Sequence, residues 1–217
     1  MTEPTPLATS PLLSPEVISE RLLREATFAE GHGAAGDFLG GGLLYYTLAY
    51  AAAASTCVCI GSGGGFVPRL MRQAQRDLGL SESTTHLVDA NLGSAGWGQP
   101  TWLAGESFFR RTYSEVVIHL MTSAQAAATV FAEGGLDYVH IDGDHTYEGC
   151  RSDFEAFAPL LSPGGTLTLH DTAYHHTYDH CGVQRVVEEL RRDDRYDVVD
   201  FPAWGAGVAI VRPRQQT

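Results

Sequence analysis

Short apolar runs alternate with amphipathic stretches along most of this chain. Thr56 to Ile60, Thr85 to Val88, Glu115 to Leu120, Leu136 to Ile141 and Thr166 to Leu169 have the length and the Val, Ile, Leu and Thr content of buried strands. Between them, Phe66 to Leu78, Ala124 to Phe131 and Tyr147 to Leu160 carry helical periodicity. Such alternation predicts parallel βαβ units in right-handed connection, hence an α/β fold with helices on both faces of a mostly parallel sheet. Val183 to Arg191 adds a helix, and Tyr196 to Phe201 with Gly207 to Val211 add two strands. Their connection is so short that only an antiparallel pair can form. Near the start, Ser14 to Glu30 reads as a helix with Ser14 as N-cap, Pro15 in the first position and an apolar stripe of Val17, Ile18, Leu22 and Leu23. Before it, MTEPTPLATSPLLSP reads as a disordered lead-in; after it, Gly31 to Gly42 reads as a glycine-rich hinge. The expected organisation is a tail and lid helix over 1–40 and a single domain over 41–217.

Phe38 to Pro68 contains no charged residue, and Leu43 to Ile60 is long enough to span a bilayer. Its Ala, Thr and Ser content, and its end in Val-Cys-Ile ahead of a glycine cluster, fit a buried helix running into the first strand better. With no basic region ahead of an apolar run at the start, a cytoplasmic protein is expected. The 14 basic residues are all arginine and face 26 acids, a net charge of -12. That excess argues against nucleic acid as a partner and for a small molecule, and a homodimer is possible. The absence of lysine excludes Schiff-base chemistry and P-loop phosphate binding. Cys57 and Cys59 share one side of a strand, while Cys150 and Cys181 are isolated, so core or surface thiols are expected rather than a zinc or redox site.

Chemistry gathers at strand ends. Ile60-Gly61-Ser62-Gly63-Gly64-Gly65 places a glycine turn between the first strand and its helix, where backbone can approach a ligand and the helix N-terminus favours an anion. Phe66 stands where a dinucleotide fingerprint wants its third glycine. Asp89 closes the next strand, where a carboxylate can accept both ribose hydroxyls. Asp142, Asp144 and His145 close the Leu136 strand; His170 and Asp171 close the Thr166 strand. If those strands are neighbours, the two clusters share one crevice.

IGSGGG, VDAN, LDYVHIDGDHTYEGCRSD and SPGGTLTLHDT, in that order, resemble the class I S-adenosylmethionine-dependent methyltransferases, in the branch that methylates small molecules and includes antibiotic-tailoring enzymes. The resemblance runs from about Leu43 to Val211. It implies a Rossmann-like, seven-stranded sheet with a final antiparallel strand, and S-adenosylmethionine as cofactor. It places Gly61, Gly63 and Gly65 at the methionine part of that cofactor, Asp89 at the ribose, and Ser123 with Gln125 at the adenine, with Asp142 also at the cofactor's edge. Cys59 stands where the family often has an acid.

The resemblance also implies a divalent ion, magnesium, manganese or another metal, held by Asp142, His170 and Asp171. His170 replaces the usual acid, which shifts preference toward manganese, iron or zinc. Without a metal, Asp142 and Asp171 would be turn caps or substrate ligands. His145, three residues after Asp142, falls where the family has its general base, and Asp144 is the second candidate. The reaction implied is methyl transfer to oxygen in secondary metabolism; a nicotinamide oxidoreductase and a non-catalytic binding module are the alternatives. His175, His176 and His180 read as a substrate-facing or solvated loop. Trp97, Trp102, Phe108, Phe109, Arg110 and Arg111 could wall a substrate pocket or pack on the sheet edge.

Overall fold

The computed structural model of the protein describes residues 13–61, 63–90, 104–173 and 181–214. One sheet runs through it: β1 (Thr56–Ile60), β2 (Thr84–Val88), β3 (Val117–His119), β4 (Leu136–Ile141), β5 (Leu161–His170), β6 (Tyr196–Phe201) and β7 (Val208–Pro213), in the order β3-β2-β1-β4-β5-β7-β6. The first five strands pair parallel. β7 pairs antiparallel with both β5 and β6. This is the expected fold, and β1, β4 and β6 keep their expected bounds.

Period-two alternation divides the core between the two faces. From β1, Cys57 and Cys59 enter one cluster and Val58 and Ile60 the other. All four cysteines are free, and all but Cys181 are buried. The second cluster is covered by α5 (Ser123–Thr129), α6 (Tyr147–Phe157) and α7 (Val183–Arg191). These helices start on local signals. Thr122 and Gln125 close a reciprocal capping box on α5, and the Thr146 hydroxyl accepts from Gly149 N–H at the start of α6. Regular helix in α6 ends at Phe157, and Ala158–Leu160 is a tighter turn holding Pro159.

The opposite face carries α1 (Pro15–Val17), α2 (Gly42–Ala51), α3 (Phe66–Asp77) and α4 (Phe108–Thr112). α2 is the uncharged segment, packed on α3 and inside the core. Among the described residues, no helix is long and apolar enough to cross a membrane. The helix expected over Ser14 to Glu30 does not form. Ser14 caps α1 as expected, but the chain widens over Ile18–Leu22 and then turns through left-handed Glu25 and Phe28. The cause lies far along the chain: the Arg69 guanidinium, fully buried, takes the Leu22 and Arg24 carbonyls at 3.3 and 2.8 Å, which a continuing helix would have used itself. α4 was not expected; it starts at the Ser107 cap and buries Phe109. Thr166 to Leu169 extends to a longer β5, because Leu161 pairs once with Leu136 before the ladder resumes at Thr166.

Candidate active site

The strand order reverses between β1 and β4, which opens a crevice at their carboxyl ends. Backbone bonds keep those ends level: Gly61 N–H donates to the Val88 carbonyl and Asp142 N–H to the Ile60 carbonyl, each at 2.9 Å. Gly61 sits at φ +74°, and a Cβ there would strike the Asp142 carbonyl, so only glycine lets β1 leave against β4. Gly63 opens the tight turn that follows, and Gly65 ends it at φ +79° as N-cap of α3, its missing Cβ 2.9 Å from the Phe109 ring. No side chain caps α3, and its first turn has N–H groups on Phe66 and Val67 but none on Pro68. Asp89 follows β2 one strand away, half-buried, its N–H on the His119 carbonyl at 3.0 Å. The Cys59 thiol donates to the Gly61 carbonyl at 3.0 Å.

On the other side of the reversal, Tyr138, His140 and Asp142 alternate with Val139 and Ile141, while Thr166, Thr168 and His170 alternate with Leu167 and Leu169. The apolar members enter the α5–α7 core, and the polar ones meet beneath the N-terminal segment. His145 Nε2 and His170 Nδ1 each lie 3.1 Å from Asp142 Oδ1. His145 Nδ1 is 3.0 Å and His170 Nδ1 3.5 Å from Asp171 Oδ2. Asp171 adopts left-handed φ +60°, a conformation that costs energy outside glycine and recurs where a side chain is held for function. Four of the five residues expected to do chemistry or bind metal, Asp142, His145, His170 and Asp171, are therefore in one cluster, and Asp144 is outside it.

Two further imidazoles complete it. His32 Nε2 and His140 Nε2 point at the other oxygen, Asp142 Oδ2, from 3.7 and 3.8 Å. Tyr45 hydroxyl lies 3.1 Å from His32 Nδ1, and Thr168 Oγ1 2.8 Å from His140 Nδ1. His140 Nε2 and His170 Nε2 are buried without a hydrogen-bond partner. Sequence reasoning missed both His32 and His140. His140 left a trace, as a polar residue within an apolar strand; His32 left none, since it sits in the stretch taken for a hinge.

Burial lowers the pKa of His32 strongly, helped by the charge on His170, and burial also lowers His140, so both are neutral. His170 is the reverse: burial pulls it down, but the charge and hydrogen bond of Asp142, with Asp171, push it up to about 10. Burial likewise opposes protonation of His145, and Asp142 and Asp171 together outweigh it and raise its pKa. Asp142, despite its burial, is held well below the usual carboxylate range by the imidazoles around it. His32, Asp142 and His170 each offer a ligand atom, all within 4.8 Å of one another, and so do Asp142, His145 and Asp171. A largely buried carboxylate faced by imidazoles of His32, His145 and His170 fits a divalent transition ion.

Other expected residues have local partners. Asp144 is exposed and accepts from Thr146 N–H at 2.9 Å, tightening the turn into α6. Gln125 is spent on the capping box. The Ser123 hydroxyl donates to Asp153, whose carboxyl burial raises to about 6. Phe109 packs in the core, and Phe108 lies under the Arg24 guanidinium. Trp97, Trp102, His175, His176 and His180 lie outside the described residues.

A profile described as a methyltransferase domain matches residues 58–172, more than half of the chain. A protein of Sinorhizobium fredii described as uncharacterized is 40% identical over 40 residues, which are 18% of this chain and 4% of that protein, so the chain spans only a small part of that relative. The fold resembles an O-methyltransferase from Bacillus cereus in complex with S-adenosylhomocysteine, at TM-score 0.65 and 16% identity over 91% of this chain and 90% of that one. It also resembles the O-methyltransferase TomG of Streptomyces achromogenes, involved in tomaymycin synthesis and bound to S-adenosylmethionine, at 0.63 and 16% over 90% of each chain. The Podospora anserina methyltransferase PaMTH1, bound to S-adenosylhomocysteine, matches at 0.63 and 16% over 95% of this chain and 89% of that one.

Proposed function

Since a chain so matched belongs to the methyltransferase-domain family, we propose that this one transfers a methyl group from S-adenosylmethionine to an oxygen of a small molecule, in secondary metabolism and in the cytoplasm. The observation that carries this reading is the meeting of Asp142, His145, His170 and Asp171 beside the glycine turn at the strand reversal. The cofactors bound in the Bacillus, Streptomyces and Podospora structures, and the biosynthetic role of the Streptomyces enzyme, support it.

The residues fit the cofactor in outline. The uncapped start of α3 would take the methionine carboxylate, Asp89 the ribose hydroxyls, and Ser123 the adenine end. When bound, S-adenosylmethionine supplies a methyl on a sulfonium, ready for in-line displacement. A divalent ion held by Asp142, His170 and Asp171 would supply an electrophile that acidifies an acceptor hydroxyl. The chain's own residues then have two tasks. The rigid ends of β4 and β5 fix the acceptor's approach, and His145 removes its proton. Both His145 nitrogens face carboxylates, whose charge raises its pKa and so favours its protonated form. A cation held by Asp142 and Asp171 would remove the charge that raises its pKa, and His145 would then be the base. The described part of the N-terminal segment, 13–40, covers the catalytic domain, 41–217, through Leu22, Ala29 and Leu39.

The test is transfer of labelled methyl from S-adenosylmethionine to a panel of small hydroxylated acceptors, before and after chelation. Transfer that chelation abolishes and a divalent ion restores is expected, and His145→Ala should slow it by about 10²–10⁴-fold with cofactor affinity unchanged. Binding of a nicotinamide cofactor in place of S-adenosylmethionine would overturn the proposal; full turnover without metal would remove the ion and leave Asp142, His170 and Asp171 as substrate ligands.

A further inference from the structure

We infer that His32, from the N-terminal segment, takes the place assigned above to Asp171 and completes with Asp142 and His170 a two-histidine, one-carboxylate centre, selective for a transition ion over magnesium. This rests on the proposal that the site holds a metal, and extends it to a residue outside the methyltransferase-domain match.

Three observations support the assignment. The first is orientation. His32 is 3% exposed, with Nε2 toward Asp142 Oδ2 at 3.7 Å and Nδ1 against the Tyr45 hydroxyl at 3.1 Å. A ligating histidine characteristically has its second nitrogen fixed in this way, which sets its tautomer and aims the other lone pair. The second is anchoring. Gly41 N–H holds the His32 carbonyl at 2.7 Å and Ala206 N–H the Gly31 carbonyl at 2.9 Å, so backbone on both sides of the ring is tied to separate parts of the fold. The His32 ring also packs on His170, their centroids 4.0 Å apart. The third is spacing. Metal-to-ligand bonds of about 2.1 Å put neighbouring ligand atoms roughly 3.0–3.5 Å apart in octahedral or tetrahedral geometry. His170 Nδ1 is 3.1 Å from Asp142 Oδ1 and His32 Nε2 3.7 Å from Oδ2 of the same carboxylate, and the three residues each offer a ligand atom within 4.8 Å of the others. Fully buried His140 adds an unpartnered Nε2 aimed at the same carboxylate oxygen from 3.8 Å.

The competing triad, Asp142, His145 and Asp171, is more open: the side chain of His145 is 35% exposed. Its two carboxylates suit a hard ion that keeps its waters, whereas two buried imidazoles and one carboxylate suit zinc, iron or manganese.

The experiment is equilibrium dialysis of the full chain against Zn²⁺ or Mg²⁺ with elemental analysis, together with nitrogen NMR of the ¹⁵N-histidine-labelled wild type. One equivalent of Zn²⁺, undisplaced by excess Mg²⁺, is expected. Zn²⁺ should shift the His32 Nε2 resonance. His32→Ala should weaken Zn²⁺ binding by at least about 10-fold, and His145→Ala should leave it near the wild-type value. Should His32→Ala fail to fold, the wild-type resonance decides. Loss of Zn²⁺ in His145→Ala with retention in His32→Ala, an unmoved His32 resonance, or equal affinity for Mg²⁺ would overturn the assignment while leaving a metal in the site. Absence of any ion would overturn the metal itself, and S-adenosylmethionine binding, measured separately, would still stand or fall on its own.

Discussion

The two faces of the sheet are built by different means. On one, α5 and α6 start at their own side-chain caps, and with α7 they bury apolar side chains against Val139, Leu167 and Leu169. On the other, distant pieces are stitched together by buried polar groups: Arg69 to Leu22 and Arg24, and His32 to Tyr45 and Asp142. The face held by local signals carries little chemistry. The stitched face carries the candidate site, because a buried cluster of imidazoles and carboxylates needs partners on several chain segments to be satisfied.

If that contrast is real, cutting a stitch should cost far more than cutting a cap. Arg69 gives its guanidinium to four carbonyls, Leu22, Arg24, Gly64 and Gly65. Arg69→Ala leaves them buried and unpaired, at about 1–3 kcal/mol each, offset in part because a charge is no longer buried. A net loss of about 3 kcal/mol or more is expected in denaturant unfolding, with hydrogen exchange accelerating over residues 22–33 before α6. A change under about 1 kcal/mol would mean the segment is held by apolar packing alone.

Asp153 in α6 tests whether the regular face has its own polar burden. Its carboxyl is raised to about 6 from 3.8 by burial and by the charge of Asp144, against the Ser123 hydrogen bond. The folded state therefore holds this proton more tightly than the unfolded one. The resulting stability is complete below pH about 4 and is lost as pH rises through about 6, a change of roughly 3 kcal/mol. Asp153→Asn should match the wild type near pH 4 and exceed it by up to about 3 kcal/mol at pH 8; a pH-independent difference would contradict this. Smaller still is Thr122→Ala, which opens the capping box of α5 and should cost about 1 kcal/mol, read as a drop of about 2–4 °C in Tm.

The same contrast explains what the sequence alone could reveal. β1, β4, β6 and α7 were legible to the residue because period and composition are local properties. Asp142, His170 and Asp171 were legible because strand ends can be counted. The break in the helix expected over Ser14 to Glu30 was not, since a helical pattern in Val17 to Leu23 says nothing of an arginine some 45 positions on that takes the Leu22 and Arg24 carbonyls. His32 was hidden for the same reason: nothing near it in the chain announces Asp142. Gln125 and Asp144 show the converse, since residues assigned to chemistry also have local partners at a helix start and a turn.

The central claim is that the strand reversal between β1 and β4 seats S-adenosylmethionine, with Asp89 on its ribose. Calorimetric titration of S-adenosylhomocysteine into the wild type and Asp89→Ala tests it most directly. One site per chain is expected, weakened in the variant by about 1.5–3 kcal/mol, the scale for hydrogen bonds to a charged group, with the thermal unfolding of the free protein unchanged. No binding to the wild type, or equal affinity in a folded variant, would contradict it.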